Sequence, residues 1–308
     1  GAYRAENNGG YVVRVVRACA ILATPTDRNS ETKGEIMTGN PTPSPAQIFE
    51  DYFGPAMFRP WGDVLIDIAN PNEGEDVLDL ACATGTVARM IAPRIGTTGT
   101  VEGLDFSPQM LDVAKGAPNL GGATIKWVEG DAAALPYDDD SFDLVICQQG
   151  LQFFPNRKQS AREIFRVLKS GGRLVACVWQ GTDVHPIFDS LFRLVATKLD
   201  APFETVAMPF GLGDPDELVG YVRSGGFDVA EVNAHQLDVA FQSPDRWVQL
   251  SMMGAAAAHP AFGELGADQR TELGQDIAES MAPTLVPYIH GDVLKMATAV
   301  NTVVAVKP

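Results

Sequence analysis

From residue 46 onward the apolar positions switch between two periods, one helical and one strand-like, and the alternation predicts an α/β protein. The stretch 46–69 carries apolar residues at helical spacing, with Pro60 opening a second helix. Short, nearly continuous apolar runs at 77–81, 100–105, 124–129, 142–147 and 173–179 read as strands. Helices fall between them. Residues 86–92 place Val87, Met90 and Ile91 on one face. Residues 107–115 start at Ser107 as N-cap, have Pro108 in the first turn and Gly116 just past the end. Residues 157–169 set Ala161, Ile164, Phe165 and Leu168 on one stripe and stop at Gly171 and Gly172. Arg166 and Lys169 then read as the exposed face of this helix, and the acidic run 138–140 as a solvated loop. Repeated β-α-β units with apolar strands imply a parallel sheet covered on both faces.

After Trp179 the alternation loosens. Helices are expected over 185–199 and 215–224, strand material over 227–241, and a last strand over 298–306. The stretch 244–292 reads as mostly helical, interrupted at Gly254, Pro260, Gly263, Pro283 and Pro287. Residues 1–45 do not share this order. They end in Pro41, Pro43 and Pro45 and read as a poorly ordered extension and linker, with Met37 as an alternative translation start. A small partner-docking helix at 11–22 is the functional alternative.

The 308 residues suit one large domain or one domain with a lid. A formal net charge of -16 repels phosphate backbones, which argues against nucleic acid as a main partner, although such acidity is common in ordinary soluble enzymes. Cys19, Cys82, Cys147 and Cys177 form no metal-ligand spacing and fit reduced thiols, hence a cytoplasmic protein. No apolar run spans a membrane, and Arg14 and Arg17 break the apolar segment 11–23 that could have been a signal peptide.

The chemistry lies where strands end. The first strand runs into Asp79-Leu80-Ala81-Cys82-Ala83-Thr84-Gly85, whose small residues allow a sharp turn and close ligand approach. The second ends at Asp105, about twenty residues further on, where a carboxylate can accept both hydroxyls of a ribose. A nucleoside ligand follows. The dinucleotide pattern G-x-G-x-x-G is missing except for Gly85, and no Walker G-K-[ST] is present.

The pattern D-x-G-x-G-x-G of methyltransferases fits better, with Ala81 and Ala83 in place of two glycines. Four segments in order, VLDLACATGTVAR, GLDFSPQMLDVAK, EGDAAALPYDDDSFDLVICQQGLQFFPN and REIFRVLKSGGRLVACVW, together resemble the class I S-adenosylmethionine (SAM)-dependent methyltransferases of the ubiquinone/menaquinone-biosynthesis type. The resemblance covers about 48–180. It implies a Rossmann-like fold: a mainly parallel seven-stranded sheet with an antiparallel last strand, helices on both faces, N-terminal helices at 46–70 and a SAM-binding core at 75–180. It also implies roles. Asp79, Ala81, Ala83 and Gly85 line the methionine end of SAM, and Asp105 holds the ribose. Phe106 and Met110 pack near the adenine, which Asp131 and the Ala132 amide bind. Gln148 sits close to the sulfonium.

The activity so implied is methyl transfer to an O, C or N nucleophile of a small, largely apolar molecule. His185, beyond the fifth strand, is the candidate base, with His259 and His290 further along; no metal is expected. Acceptor walls are sought in Tyr52, Phe53, Phe58, Trp61, Gln149, Phe153, Phe154, Met252 and Met253. In this fold the last two strands normally form a hairpin, so 244–292 is an insertion between them, expected as a helical lid. A nicotinamide-dependent oxidoreductase and a non-catalytic binding subunit are the alternative readings.

Overall fold

The computed structural model describes residues 44–228, 230–257 and 260–308. The extension expected over 1–45, apart from its last two residues, lies outside these, as do Cys19, Met37, His259 and the docking-helix alternative. One α-helical turn at Pro45–Ile48 widens into a π-helix over Phe49–Phe58 and tightens again into α1 (Arg59–Ala69). The Arg59 amide donates to the Gly54 carbonyl, five residues back. Pro55 lies in this stretch, and a wider turn tolerates a ring that would clash with the normal helical carbonyl.

Strands β1 (Asp76–Leu80), β2 (Thr100–Asp105), β3 (Thr124–Glu129), β4 (Phe142–Gln148) and β5 (Leu168–Trp179) alternate with α2 (Thr86–Ile95), α3 (Pro108–Gly116) and α4 (Arg157–Val167). Then come α5 (Pro186–Leu199), α6 (Pro215–Arg223), β6 (Ala230–Gln242), α7 (Pro244–Ala257), α8 (Ala267–Leu285), β7 (Ile289–His290) and β8 (Val293–Val306). The sheet order is β3-β2-β1-β4-β5-β8-β6, with β7 paired to β8. Strands β1 to β5 pair in parallel, and β8 runs antiparallel to β5. The order reverses between β1 and β4, where diverging loops leave a crevice at the carboxyl ends of the strands.

The described chain forms two compact units. The larger holds 45–185, 208–239 and 297–308. Its core lies on the sheet, with Leu78, Leu80, Val145, Cys147, Leu174 and Ala176 fully buried. That is why these strands read as continuous apolar runs. At the opposite end of the strands from the crevice, Lys169 pairs with Asp76 at 2.9 Å and Asp143 at 2.8 Å, and Arg173 reaches both oxygens of Glu75. The helix expected to reach residue 169 stops at Val167, and β5 begins at Leu168. Lys169 is therefore a strand residue anchored between carboxylates, not a solvated helix face. Arg166, also expected to be exposed, is tied to Glu163, Asp139 and the carbonyls of Leu135 and Tyr137.

The smaller unit is helical and holds 186–207 and 240–296. The excursion over 244–292 is helical as expected, but α5 shares its core, which periodicity could not show. Phe188 meets Trp247 edge-on at 5.5 Å, and Ile277, Met281 and Leu285 of α8 are buried. Among the described residues no helix is long and apolar enough to cross a membrane, and no three His, Cys, Asp or Glu side chains cluster as metal ligands do.

Candidate functional site

The turn after β1 is held open by hydrogen bonds that use up its own backbone. Ala81 and Ala83 take φ of 57° and 48°, and Gly85 takes 79°. The Cys82 amide donates to the Leu104 carbonyl at 3.0 Å, and the Gly85 amide to Cys82 at 2.7 Å. Gly85 admits no other residue: its φ is left-handed, and an added Cβ would lie 2.2 Å from the ring of Trp127 on β3. Sequence reading gave Trp127 no role, because an indole on an edge strand looks like ordinary packing.

Two carboxylates frame the turn. Asp79 is buried and accepts from the Ala88 amide at 2.8 Å. Burial pushes its carboxyl up to about 7, helped by repulsion from Asp105 and opposed by the Ala88 bond. Asp105 accepts from the Ala83 amide at 2.8 Å through one oxygen and from Ser107 at 2.9 Å through the other. Its carboxyl is also raised, by burial. Each oxygen thus keeps acceptor capacity, which a ribose diol needs. Phe106, next along, is 79% exposed, and Met110 lies half-buried on α3 behind it. Asp131 accepts from the Ala133 amide at 2.8 Å in a tight turn that exposes its carboxylate, with Ala132 buried beside it. All these residues sit at the carboxyl edge of the sheet.

Gln148, the last residue of β4, donates to the Phe58 carbonyl at 2.8 Å, so the π-helical segment is fastened to the switch point. Glu50 of the same segment pairs with the buried Arg89 of α2 at 2.6 Å. Neither was legible as a site residue: Arg89 follows Val87 in a helix whose sequence shows no obvious buried cation.

Several expected side chains are buried and in contact with other parts of the protein. His185 is 1% exposed; its Nδ1 is 2.9 Å from the Gly181 carbonyl, and its Nε2 accepts from the Ala299 amide at 2.9 Å. Both ring nitrogens are thus engaged by backbone atoms. Trp61 is buried and donates to Thr298 at 2.9 Å. Gln149 turns inward at φ 55°, with its amide 3.7 Å from Cys177 Sγ. Met252 is buried within the helical unit, where its methyl approaches Gly274 of α8. Of the expected acceptor walls, Phe58 stays half-buried against Phe49 and Phe153 is 44% exposed, while Tyr52 is buried beside Phe53.

The family model of the ubiE/COQ5 methyltransferases matches residues 50–202. The chain is 37% identical over 198 residues to the chloroplastic 2-phytyl-1,4-beta-naphthoquinone methyltransferase of Arabidopsis thaliana, covering 63% of this chain and 74% of that enzyme. The chain belongs to the ubiE/COQ5 methyltransferase family. It is a SAM-dependent methyltransferase of small molecules, and the oxidoreductase and non-catalytic readings are not favoured. A second family member, the demethylmenaquinone methyltransferase of Lactococcus lactis, is 39% identical over 122 residues, which are 39% of this chain and 48% of that enzyme. The fold agrees. A candidate methyltransferase from Bacillus halodurans superposes with a TM-score of 0.53 at 21% identity, over 80% of this chain and 98% of that one. The YcgJ protein of Bacillus subtilis does so at 0.51 and 18%, over 80% and 97%.

Proposed function

We propose that the methyl acceptor is a reduced naphthoquinone-type ring bearing an apolar side chain, methylated at a ring carbon or hydroxyl oxygen. The observation that carries this reading is the extent of likeness to the Arabidopsis enzyme, which is named for such a substrate. In this reading SAM supplies a methyl on a neutral leaving group, so no acid is required and placement supplies much of the rate. Asp105 holds the ribose through its spare lone pairs. The exposed Phe106 ring and Met110 cover the adenine, and Asp131 with the Ala132 amide reads its edge. Asp79 and the turn 81–85 shape the methionine end. Gln148 fixes the π-helical segment, whose Phe58, with Phe153, offers apolar surface to the ring. As the new bond to the methyl forms and the sulfur–methyl bond breaks, the quinol loses one proton net, which its hydroxyl can pass to water, and this suits a site whose expected histidine base is bonded to backbone. The buried thiols Cys82, Cys147 and Cys177 fit a reducing compartment such as the cytoplasm.

The test is S-adenosylhomocysteine release with 2-prenyl-1,4-naphthoquinol, its oxidised quinone, a catechol and a primary amine. Turnover is expected with the quinol alone or foremost. Turnover of the catechol or amine without the quinol would overturn the assignment.

A further inference from the structure

The turns beyond β4 and β5 carry apolar side chains that no packing inside the protein uses up. Of the seven large apolar side chains that stay exposed among the described residues, three stand there: Phe153 at 44%, Val184 at 45% and Met208 at 40%. Each belongs to a short 3-10 turn: Leu151–Phe153 after β4, Thr182–Val184 after β5, and Met208–Phe210. The third turn packs on the first. It is tied to the second as well. The Phe210 ring lies 5.0 Å from that of His185, the residue after Val184, and Gly213 approaches Gly181 so closely that no Cβ would fit. Beneath these turns the floor is fixed. Trp179, the last residue of β5, stacks on Phe210 at 6.0 Å and meets His185 edge-on at 6.1 Å, and all three rings are buried. The Asn301 side-chain amide donates to the Gly213 carbonyl at 2.7 Å and Arg157 to that of Gly211 at 3.2 Å, which fastens the loop beyond Phe210.

Apolar side chains gathered on a fixed floor beside a site mark a place where something docks. Its chemistry follows from the border. Phe153 also bounds the place read above as holding the acceptor ring, so the apolar surface continues outward from the ring. Arg157, the first cation after Phe153, is paired with Glu217, while Asp183 and Asp214 are exposed on the neighbouring loops. An anionic lipid headgroup is repelled there, and an uncharged hydrocarbon is not. We propose that the apolar side chain of the methyl acceptor lies across Phe153, Val184 and Met208, and that these three residues set the chain length the enzyme prefers. This rests on the reading of the acceptor as a quinol bearing such a chain, and it gives that chain a site of its own. Because the floor is already in place, a docking chain loses freedom but orders little of the protein.

The experiment compares kcat/KM for 2-prenyl- and 2-geranyl-1,4-naphthoquinol, which share the ring and differ by one isoprene unit, at a fixed concentration of non-ionic detergent. The parent is expected to favour the geranyl chain about tenfold. Val184→Ser and Met208→Ser change exposed positions and should fold as the parent does. Each is expected to cut that preference about threefold, to leave the prenyl quinol within about twofold, and to bind S-adenosylhomocysteine as the parent does. Met208→Leu, which keeps the apolar surface, should keep the preference. An unchanged preference in both serine variants overturns the proposal. So does a parallel fall of both quinols, which would make the turns purely structural. A dimeric parent that Met208→Ser turns into a monomer would give the surface to a second copy. Loss of binding to phosphatidylcholine vesicles with the preference intact would give it to a lipid surface. Either result also overturns the proposal. A parent that methylates the catechol or the amine and neither quinol would overturn the acceptor reading, and this site with it, a result distinct from all the others.

Discussion

Ala81 and Ala83 stand in a backbone region that costs an L-residue with a Cβ about 1–2 kcal/mol relative to its preferred conformations. Glycine would adopt it freely but loses more entropy on folding, about 0.5–1 kcal/mol. The first term is the larger, so Ala81→Gly and Ala83→Gly should each leave stability unchanged or raise it by up to about 1 kcal/mol. Urea denaturation checks this, and a loss above about 1 kcal/mol in either variant would show that the methyls pack more than they strain. Asp79 gives a second residue-scale expectation. Burial, which disfavours the charge, pushes its carboxyl in the folded protein up to about 7 from the usual 3.8. The stability this group contributes is therefore complete below about 3.8 and lost as pH rises through about 7. Asp79→Asn, which can still accept from the Ala88 amide, should be more stable than the parent at pH 8 by a few kcal/mol and gain little at pH 4. Equal gains at both values would deny the shift.

At the scale of elements, the segment after β5 and the inner strand β8 meet through His185. Its neutral ring takes the Ala299 amide at 2.9 Å, and burial holds its pKa below the usual 6.5. A depressed histidine contributes stability that is present above the unfolded value of 6.5 and lost as pH falls through the folded one. Thermal unfolding between pH 5 and 7.5 should show this loss on acidification. His185→Gln, which cannot protonate, should lack that step; an unchanged acid profile would mean another group governs it. The glycines at 171 and 172 look like a helix stop, yet they lie inside β5, where pairing to β4 shifts register between Phe142 and Leu144. Gly171 takes φ 79° there, and a Cβ on Gly172 would lie 2.8 Å from the Lys169 carbonyl. They serve a bulge, which local composition does not distinguish from a cap.

Across the whole molecule the net charge of -16 bears on the ligand before contact. SAM carries one more positive charge than S-adenosylhomocysteine, and an acidic protein attracts it over distances that salt shortens. The association rate of SAM should therefore fall more steeply than that of S-adenosylhomocysteine as salt rises from about 20 to about 500 mM, a range in which the screening length shrinks severalfold. Stopped-flow fluorescence can follow both, because Trp127 packs against Gly85 in the binding turn. Parallel salt dependences would show that the field does not steer the donor.

The sequence by itself determined the β-α-β order, the parallel sheet and the turn after β1, since these follow from local period and from small residues at a strand end. Asp79, Asp105 and Asp131 were singled out for the same reason: each stands at or just past the last residues of a strand, and the carboxyl ends of parallel strands share one edge. Tertiary structure alone decided what faces that edge. His185, Trp61, Gln149 and Met252 are the residue types a site would use, but their polar atoms or apolar surface are consumed by partners from distant segments, Ala299, Thr298, Cys177 and Gly274. Glu50 and Arg89 are 39 positions apart and carry no local pattern that joins them. A buried ion pair depends on where two elements come to rest, and that is set by the packing of the whole sheet unit, not by the spacing of residues along the chain.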